Sequence, residues 1–422
     1  MHHAAVVFSV IRDRTYRHLF TAQVLALVGT GLATVALGLL AYDLAGADAG
    51  VVLGTAFAIK MVAYVLVAPL ATAWLARLPR RRVMVGADVV RGAVAVSLPF
   101  VDQVWQVYLL IFVMQAASAT FTPTFQATIP QVLPREKDYT DALSLSRLAY
   151  DLESVLSPVL AAAALLLVSS DTLFFGTAAG FAASALLVAS VVLPKPVPPE
   201  EEGTFAFRLT RGARLFVRTP GLRPVLAINL AVAAAGAFVL VQTVVIVQDT
   251  FGLAEGMVAV ALAANGLGSM TTAFLLPRLL GRVTESAVML PGTALLVLGV
   301  ALFPLTLLPA GDAAGFAGLC GLWFLIGVGW SAAETPVGRL IRRHVAAGDH
   351  GAAFAAQFSL SHACWLLTYP LAGWLGAGGR LATAAVTLAV VCLVAATTAM
   401  ATWPRESARY RGRTDQSEEV TL

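Results

Sequence analysis

Two acids, Asp151 and Glu153, lie about ten residues into a largely apolar run that begins near Asp141, roughly 15 Å along a helix. A charge at that depth in a bilayer costs about 2.5–3.5 kcal/mol on insertion scales, so each acid asks for a partner, a proton or a water-filled path. Two residues apart on a helix, they point about 200° apart and serve different neighbours. Asp151 has Arg147 four residues earlier on its own face, a pairing that serves packing; the alternative is that Asp151 is itself the proton-coupled acid. Glu153 has no intrahelical cation within reach. Lys60, at similar depth, either holds it in a fixed pair or gives it up in turn to a proton and a substrate, which is the chemistry of proton-coupled transport.

His362 is the histidine that stands deep in an apolar run, where it is either a titrating or metal-binding group or a hydrogen-bonded packing residue. Glu153, His362, Cys364 and Met61 together offer the donors of a divalent transition-metal site, such as one for nickel or cobalt. Cys364, two residues beyond His362, faces about 160° away from it and is more simply an apolar filler, as Met61 is more simply core. Glu334 precedes Thr335-Pro336, either lining a cavity or closing a gate through Arg339 or Arg342. Gln23, Gln115, Asn229 and Asn265 serve either as polar cavity contacts or as hydrogen-bond glue between helices.

These residues need long apolar elements to carry them, and the composition supplies those. Of 422 residues 59% are hydrophobic and 12% charged, with a mean hydropathy of +0.82, which excludes an ordinary soluble globule. The apolar runs are continuous and rich in Ala and Leu, without barrel-like alternation, so an all-α membrane protein follows. Twelve spans are predicted, at 18–43, 50–76, 83–101, 104–126, 141–168, 172–193, 222–247, 256–279, 285–309, 313–338, 351–376 and 380–403. Basic clusters alternate with acidic loops. Arg12, Arg14, Arg17, Arg77, Arg80, Arg81, Arg82, Arg339, Arg342 and Arg343 fall on one side, and Asp43, Asp48, Asp102, Asp171, Asp249 and Glu255 on the other. By the positive-inside rule both termini are expected in the cytoplasm, the membrane being the inner one of a bacterium. No cleaved signal peptide is read at the N-terminus. Cys320, Cys364 and Cys392 lie in apolar stretches and predict no disulfide framework. The excess of basic residues is scattered among short loops, so nucleic acid is not an expected partner.

Residues 194–221, with Pro194, Pro196, Pro198 and Pro199 before Glu200–Glu202 and a basic amphipathic stretch, read as a linker and interfacial helix. They divide the chain into a six-helix half at 1–193, a second at 222–403 and a tail at 404–422. Phe121-Thr122-Pro123 is echoed by Glu334-Thr335-Pro336, and Ser144-Leu145-Ser146 by Ser359-Leu360-Ser361, each about half a chain apart. Two related halves around a midplane site are the architecture of alternating-access carriers. The six-plus-six pattern, with the basic loop Arg77-Leu78-Pro79-Arg80-Arg81-Arg82, resembles the major facilitator superfamily, although Ala76 stands where that loop's acid would be. Asp88 and Arg91, three apart on one helix face, supply a substitute charge pair.

Within that superfamily, Phe121-Thr-Pro-Thr-Phe-Gln-Ala-Thr-Ile-Pro130 is similar to the branch of enterobactin-type exporters. Ala58-Ile-Lys-Met-Val-Ala-Tyr64 and Ser361-His-Ala-Cys-Trp-Leu-Leu-Thr-Tyr-Pro370 are similar to nickel-resistance exporters of that branch. The resemblance implies a proton-coupled exporter that needs no cofactor, acts as a monomer in the lipid bilayer and carries a metal ion such as nickel or cobalt. The alternative cargo is a hydrophobic drug-like molecule or a siderophore. Membrane-embedded hydrolysis is the remote alternative, since no His-Glu-x-x-His or Gly-x-Ser-x-Gly stands at membrane depth, and no P-loop suggests an ATP-driven pump. A receptor without transport would be a third class.

Overall fold

The computed structural model describes residues 8–75, 78–193, 214–280, 282–308, 312–346 and 350–404. The expected interfacial segment before residue 214, Ala76 and the tail from 405 fall outside the described residues, and so do the side chains of Arg147, Asp151 and Pro158. The long helices are α1 (Arg14–Ala45), α2 (Ala49–Leu75), α3 (Arg80–Ser97), α4 (Val104–Val132), α5 (Glu136–Leu165), α6 (Ser170–Ala189), α7 (Arg223–Val245), α8 (Glu255–Leu279), α9 (Glu285–Ala301), α10 (Asp312–Glu334), α11 (His350–Gly376) and α12 (Leu381–Thr402). Each coincides with one predicted span, and there is no strand among the described residues. Nine stretches among the described residues are long and apolar enough to cross a membrane, and the first, Arg14–Val67, takes in α1 and most of α2. Neither the charge-bearing α5 nor α11 is among them.

Local chemistry sets the helix ends. The Asp13 carboxylate accepts from the Tyr16 amide at 2.8 Å and caps α1, and Gln103 with Gln106 forms a capping box at the start of α4. At the far end of α1 the chain turns at Gly46, and between α11 and α12 it turns at Gly378 and Gly379; all three have positive φ, which a side chain would strain. The two Thr-Pro echoes behave differently. Pro123 lies inside a continuous α4, whereas Thr335-Pro336 ends α10 and a short helix, Val337–His344, begins.

The first six helices pack together, α1 against α6 and α5, α3 against α6 and α4, α2 against α4. The last six do likewise, with α8 against α10, α9 against α10 and α12, and α7 against α11 and α12. The most extensive crossings between the groups are α2 with α11 and α5 with α8, and α2 also meets α7. The centre is close-packed, α7 being buried almost all round and Trp323 donating from its indole to Thr243 at 2.8 Å. The outside is apolar, with Phe100, Leu166, Leu167 and Val192 more than 70% exposed, as befits a surface solvated by lipid rather than water.

One end of the bundle carries the acidic loops, the other the arginine clusters. At the acidic end α2 and α11 meet backbone to backbone through Gly50 and Gly54 on one side and Gly373 on the other. A Cβ on Gly54 would stand 2.5 Å from the Tyr369 carbonyl oxygen. The Gln242 amide lies between Gly50 and Gly376 and donates to the Ala372 carbonyl at 2.6 Å, while Asp48 accepts from the Gly378 amide at 2.9 Å. The small-residue spacing permits this contact, a glycine seal that joins α2 to α11 at the acidic end.

Candidate functional site

Lys60 is eleven residues into α2, about 17 Å from the acidic end. It is half-buried, and its charge acts on two groups from other helices, Glu153 of α5 and His362 of α11. Lys60 and Glu153 form no direct ion pair, so the fixed contact pair that the sequence allowed is not what the structure holds. Gly31 of α1 makes room for the acid: a Cβ there would come within 3.0 Å of Glu153 Oε1 and collide with the Ser157 hydroxyl. Ser157 Oγ is buried without a hydrogen-bond partner.

His362 lies on the side of α11 that meets α2. Its Nδ1 is 2.7 Å from the Phe358 carbonyl, its ring stacks on Phe358 with centroids 3.9 Å apart, and Tyr64 of α2 tilts against it at 5.9 Å. Because a carbonyl only accepts, Nδ1 carries the proton of this bond and Nε2 is left as the free ring nitrogen. Further along the same helix Trp365 meets Trp330 of α10 at 5.2 Å and Tyr369 at 4.9 Å, and Tyr369 meets Phe57 of α2 at 5.0 Å. Trp330 donates from its indole to Glu334 at 3.0 Å. Rings and charges thus share the α2–α11 crossing, one of the places where the two helix groups touch.

The four donors of the expected metal site do not come together. Met61 is 4% exposed within the apolar core, His362 is turned onto Phe358, and Cys364 lies on another side of α11. No cluster of three His, Cys, Asp or Glu able to hold a metal exists among the described residues. Geometry explains this: neighbours in sequence diverge by 100° per helical residue, and helix packing did not bring them back.

Several polar candidates hydrogen-bond between helices. Gln23 accepts from Ser146 of α5 at 3.0 Å. Asn229 and Gln357 exchange hydrogen bonds at 3.1 and 2.9 Å, tying α7 to α11, and Asn265 donates to the Trp323 carbonyl at 3.0 Å. Gln115 is buried on α4. Asp88 and Arg91 do pair, and fully inside: Ser184 of α6 donates to Asp88 at 2.7 Å, and the Arg91 guanidinium is sandwiched between Phe121 and Phe181 at 4.5 and 4.4 Å. Arg81 reaches the Val191 carbonyl at 3.5 Å, Arg82 is exposed and Arg80 half-buried. At the same end Glu285 is shared by Arg339 and Arg343, each at 3.3 Å, so Arg339 is engaged there. The glycine seal, Gly31 and the Trp330–Trp365 pair were not singled out from sequence, although Gly50-x-x-x-Gly54 is a legible close-approach motif.

Residues 19–310 match the Major Facilitator Superfamily. The chain belongs to that superfamily. It is therefore a membrane transporter, with the bilayer as its solvent and a small-molecule substrate as its cargo. The crystal structure of the nucleoside transporter NupG superimposes with a TM-score of 0.70 over 93% of this chain and 100% of that one, at 13% identity. An inward-facing, unoccupied bacterial homolog of the human lysosomal transporter Spinster gives 0.68 over 94% and 99%, at 12% identity. A structure described as a bacterial metal transporter gives 0.65 over 93% and 99%, at 13% identity. At such identities these likenesses speak for the fold alone. No curated protein matches the chain.

Proposed function

We propose that this superfamily member is a proton-coupled exporter working by alternating access, a monomer with twelve spans and with its basic end, and both termini, in the cytoplasm of a bacterium. The carrying observation is the trio Lys60, Glu153 and His362, drawn from α2, α5 and α11. A proton on Glu153 removes its attraction for Lys60. Because α2 and α5 make the most extensive contacts of the first group with the second, that change of charge bears on the contact between groups. The closed glycine seal belongs to the half of the cycle in which the site communicates with the basic end.

Aromatic rings gather at the α2–α11 crossing, and no cluster of three His, Cys, Asp or Glu stands there among the described residues, which favours an organic cargo over nickel or cobalt. The test is proton flux in proteoliposomes loaded with a pH dye. Wild-type protein is expected to move protons on addition of a lipophilic organic cation, and Glu153→Gln, folded by gel filtration, to lose the signal. Wild-type coupling in Glu153→Gln would sink the assignment of this acid. A nickel- or cobalt-dependent signal would restore the metal reading.

A further inference from the structure

The hydrogen-bond polarity of the interior deepens the proposed function, on which this inference rests, by naming the class of cargo. Helix α1 is flanked by α2, α5 and α6 and has no exposed residue from Ala22 to Tyr42; Thr30 and Thr34 on it are half-buried. Both flank Gly31, which faces Glu153. Thr30 donates its hydroxyl proton to the Ala26 carbonyl at 2.9 Å, and Thr34 donates to Thr30 at 3.0 Å. On α11 the exposed Phe358 lies on the opposite side from the exposed Leu367 and Trp374, and Ser361 and Trp365 share the Phe358 side at helical spacing. Ser361 donates to the Phe358 carbonyl at 2.9 Å.

A hydroxyl that has given its one proton to a carbonyl offers only lone pairs. Thr30, Thr34 and Ser361 are in that state, His362 offers Nε2, and Glu153 and Glu334 are acceptors when ionised. Against them stands Lys60 as the charged donor, already offset by Glu153. We infer that the interior is an acceptor-lined, aromatic-walled site for an organic ammonium bearing N–H donors, a primary or secondary amine in its protonated form. Trp330 and Trp365 supply ring faces that attract a cation, and the oxygen atoms discriminate by counting N–H bonds.

The experiment titrates the full-length protein in nanodiscs with 2-phenylethylammonium, its N,N,N-trimethyl analogue, phenylacetate and nickel chloride, read by tryptophan fluorescence and checked by calorimetry. The primary ammonium is expected to bind about tenfold or more tighter than the trimethyl analogue, since each lost charge-assisted hydrogen bond is worth about that factor. Thr30→Val with Thr34→Val should weaken the ammonium several-fold and leave the trimethyl analogue within about twofold, because shape is kept and only oxygen removed. Equal binding of the two cations, preference for phenylacetate or nickel, or no ammonium binding overturns the inference. Proton flux is measured separately, over protein-free vesicles. Ammonium binding without flux leaves the inference and removes the coupled carrier, whereas flux driven by phenylacetate and not by the ammonium does the reverse.

Discussion

In the proposed cycle, closure of the acidic end depends on the absence of a side chain at Gly54, and adding a methyl group there should open it. A Cβ on Gly54 would meet the Tyr369 carbonyl oxygen at 2.5 Å and the Gly373 Cα at 3.2 Å, where ordinary contact begins near 3.4 Å. The obstacle is backbone, which no rotamer change relieves, so α2 and α11 must separate by roughly 0.9 Å at this level. Overpacking of this kind costs about 1–3 kcal/mol, and the cost falls only on the state in which the end is closed. The ratio of closed to open protein should therefore drop about 5- to 150-fold in Gly54→Ala. Spin labels at Asp102 and Arg380, exposed on loops of the two helix groups at this end, report the change by pulsed electron resonance as a gain in the longer-distance population. Gly86→Ala is the control, since nothing lies within 4 Å of a Cβ there. An unchanged distance distribution in Gly54→Ala, with unaltered melting temperature, would refute the reasoning that the glycine contact holds the end shut.

Two further outcomes follow from buried chemistry. Arg91→Ala leaves Asp88 in a site where it is wholly buried and is expected to cost about 3–5 kcal/mol, seen as a fall in thermal melting in detergent; the double change Arg91→Met with Asp88→Leu should recover most of it, and a double variant as unstable as the single would contradict the ion-pair account. Gly31→Ala drives a methyl into the Ser157 hydroxyl and against Glu153, so proton flux should fall in a protein that still folds, and flux at the wild-type rate would show that Glu153 has no need of this gap.

Much of the fold could be read before any packing was known. Apolar runs separated by charge clusters placed each long helix within a few residues, because a bilayer offers no water to unpaired backbone and so forces the apolar run and the helix to coincide. The Asp88–Arg91 pair was legible for the same local reason, three residues being nearly one helical turn. The span count stands differently: α5, with Asp151 and Glu153, is helical but is not among the stretches found long and apolar enough to cross a membrane among the described residues.

Which polar residues meet was a matter for tertiary structure. Asn229 finds Gln357 across 128 positions and spends itself on packing; Gln23 does the same with Ser146. Met61 and Cys364 carry metal-binding atoms, but their directions are set by how α2 and α11 rotate against their neighbours, and no periodicity in the chain reports that rotation. Hydropathy and helical repeat are local properties, so residue order was enough to establish an all-helical membrane chain with a few costly charges at depth. Only the packing of α2 on α11 and α5 on α8 decided that Lys60 lies near Glu153 and His362 while Met61 and Cys364 do not complete a metal site with them, since proximity between helices depends on crossing and rotation, which long-range contact alone fixes.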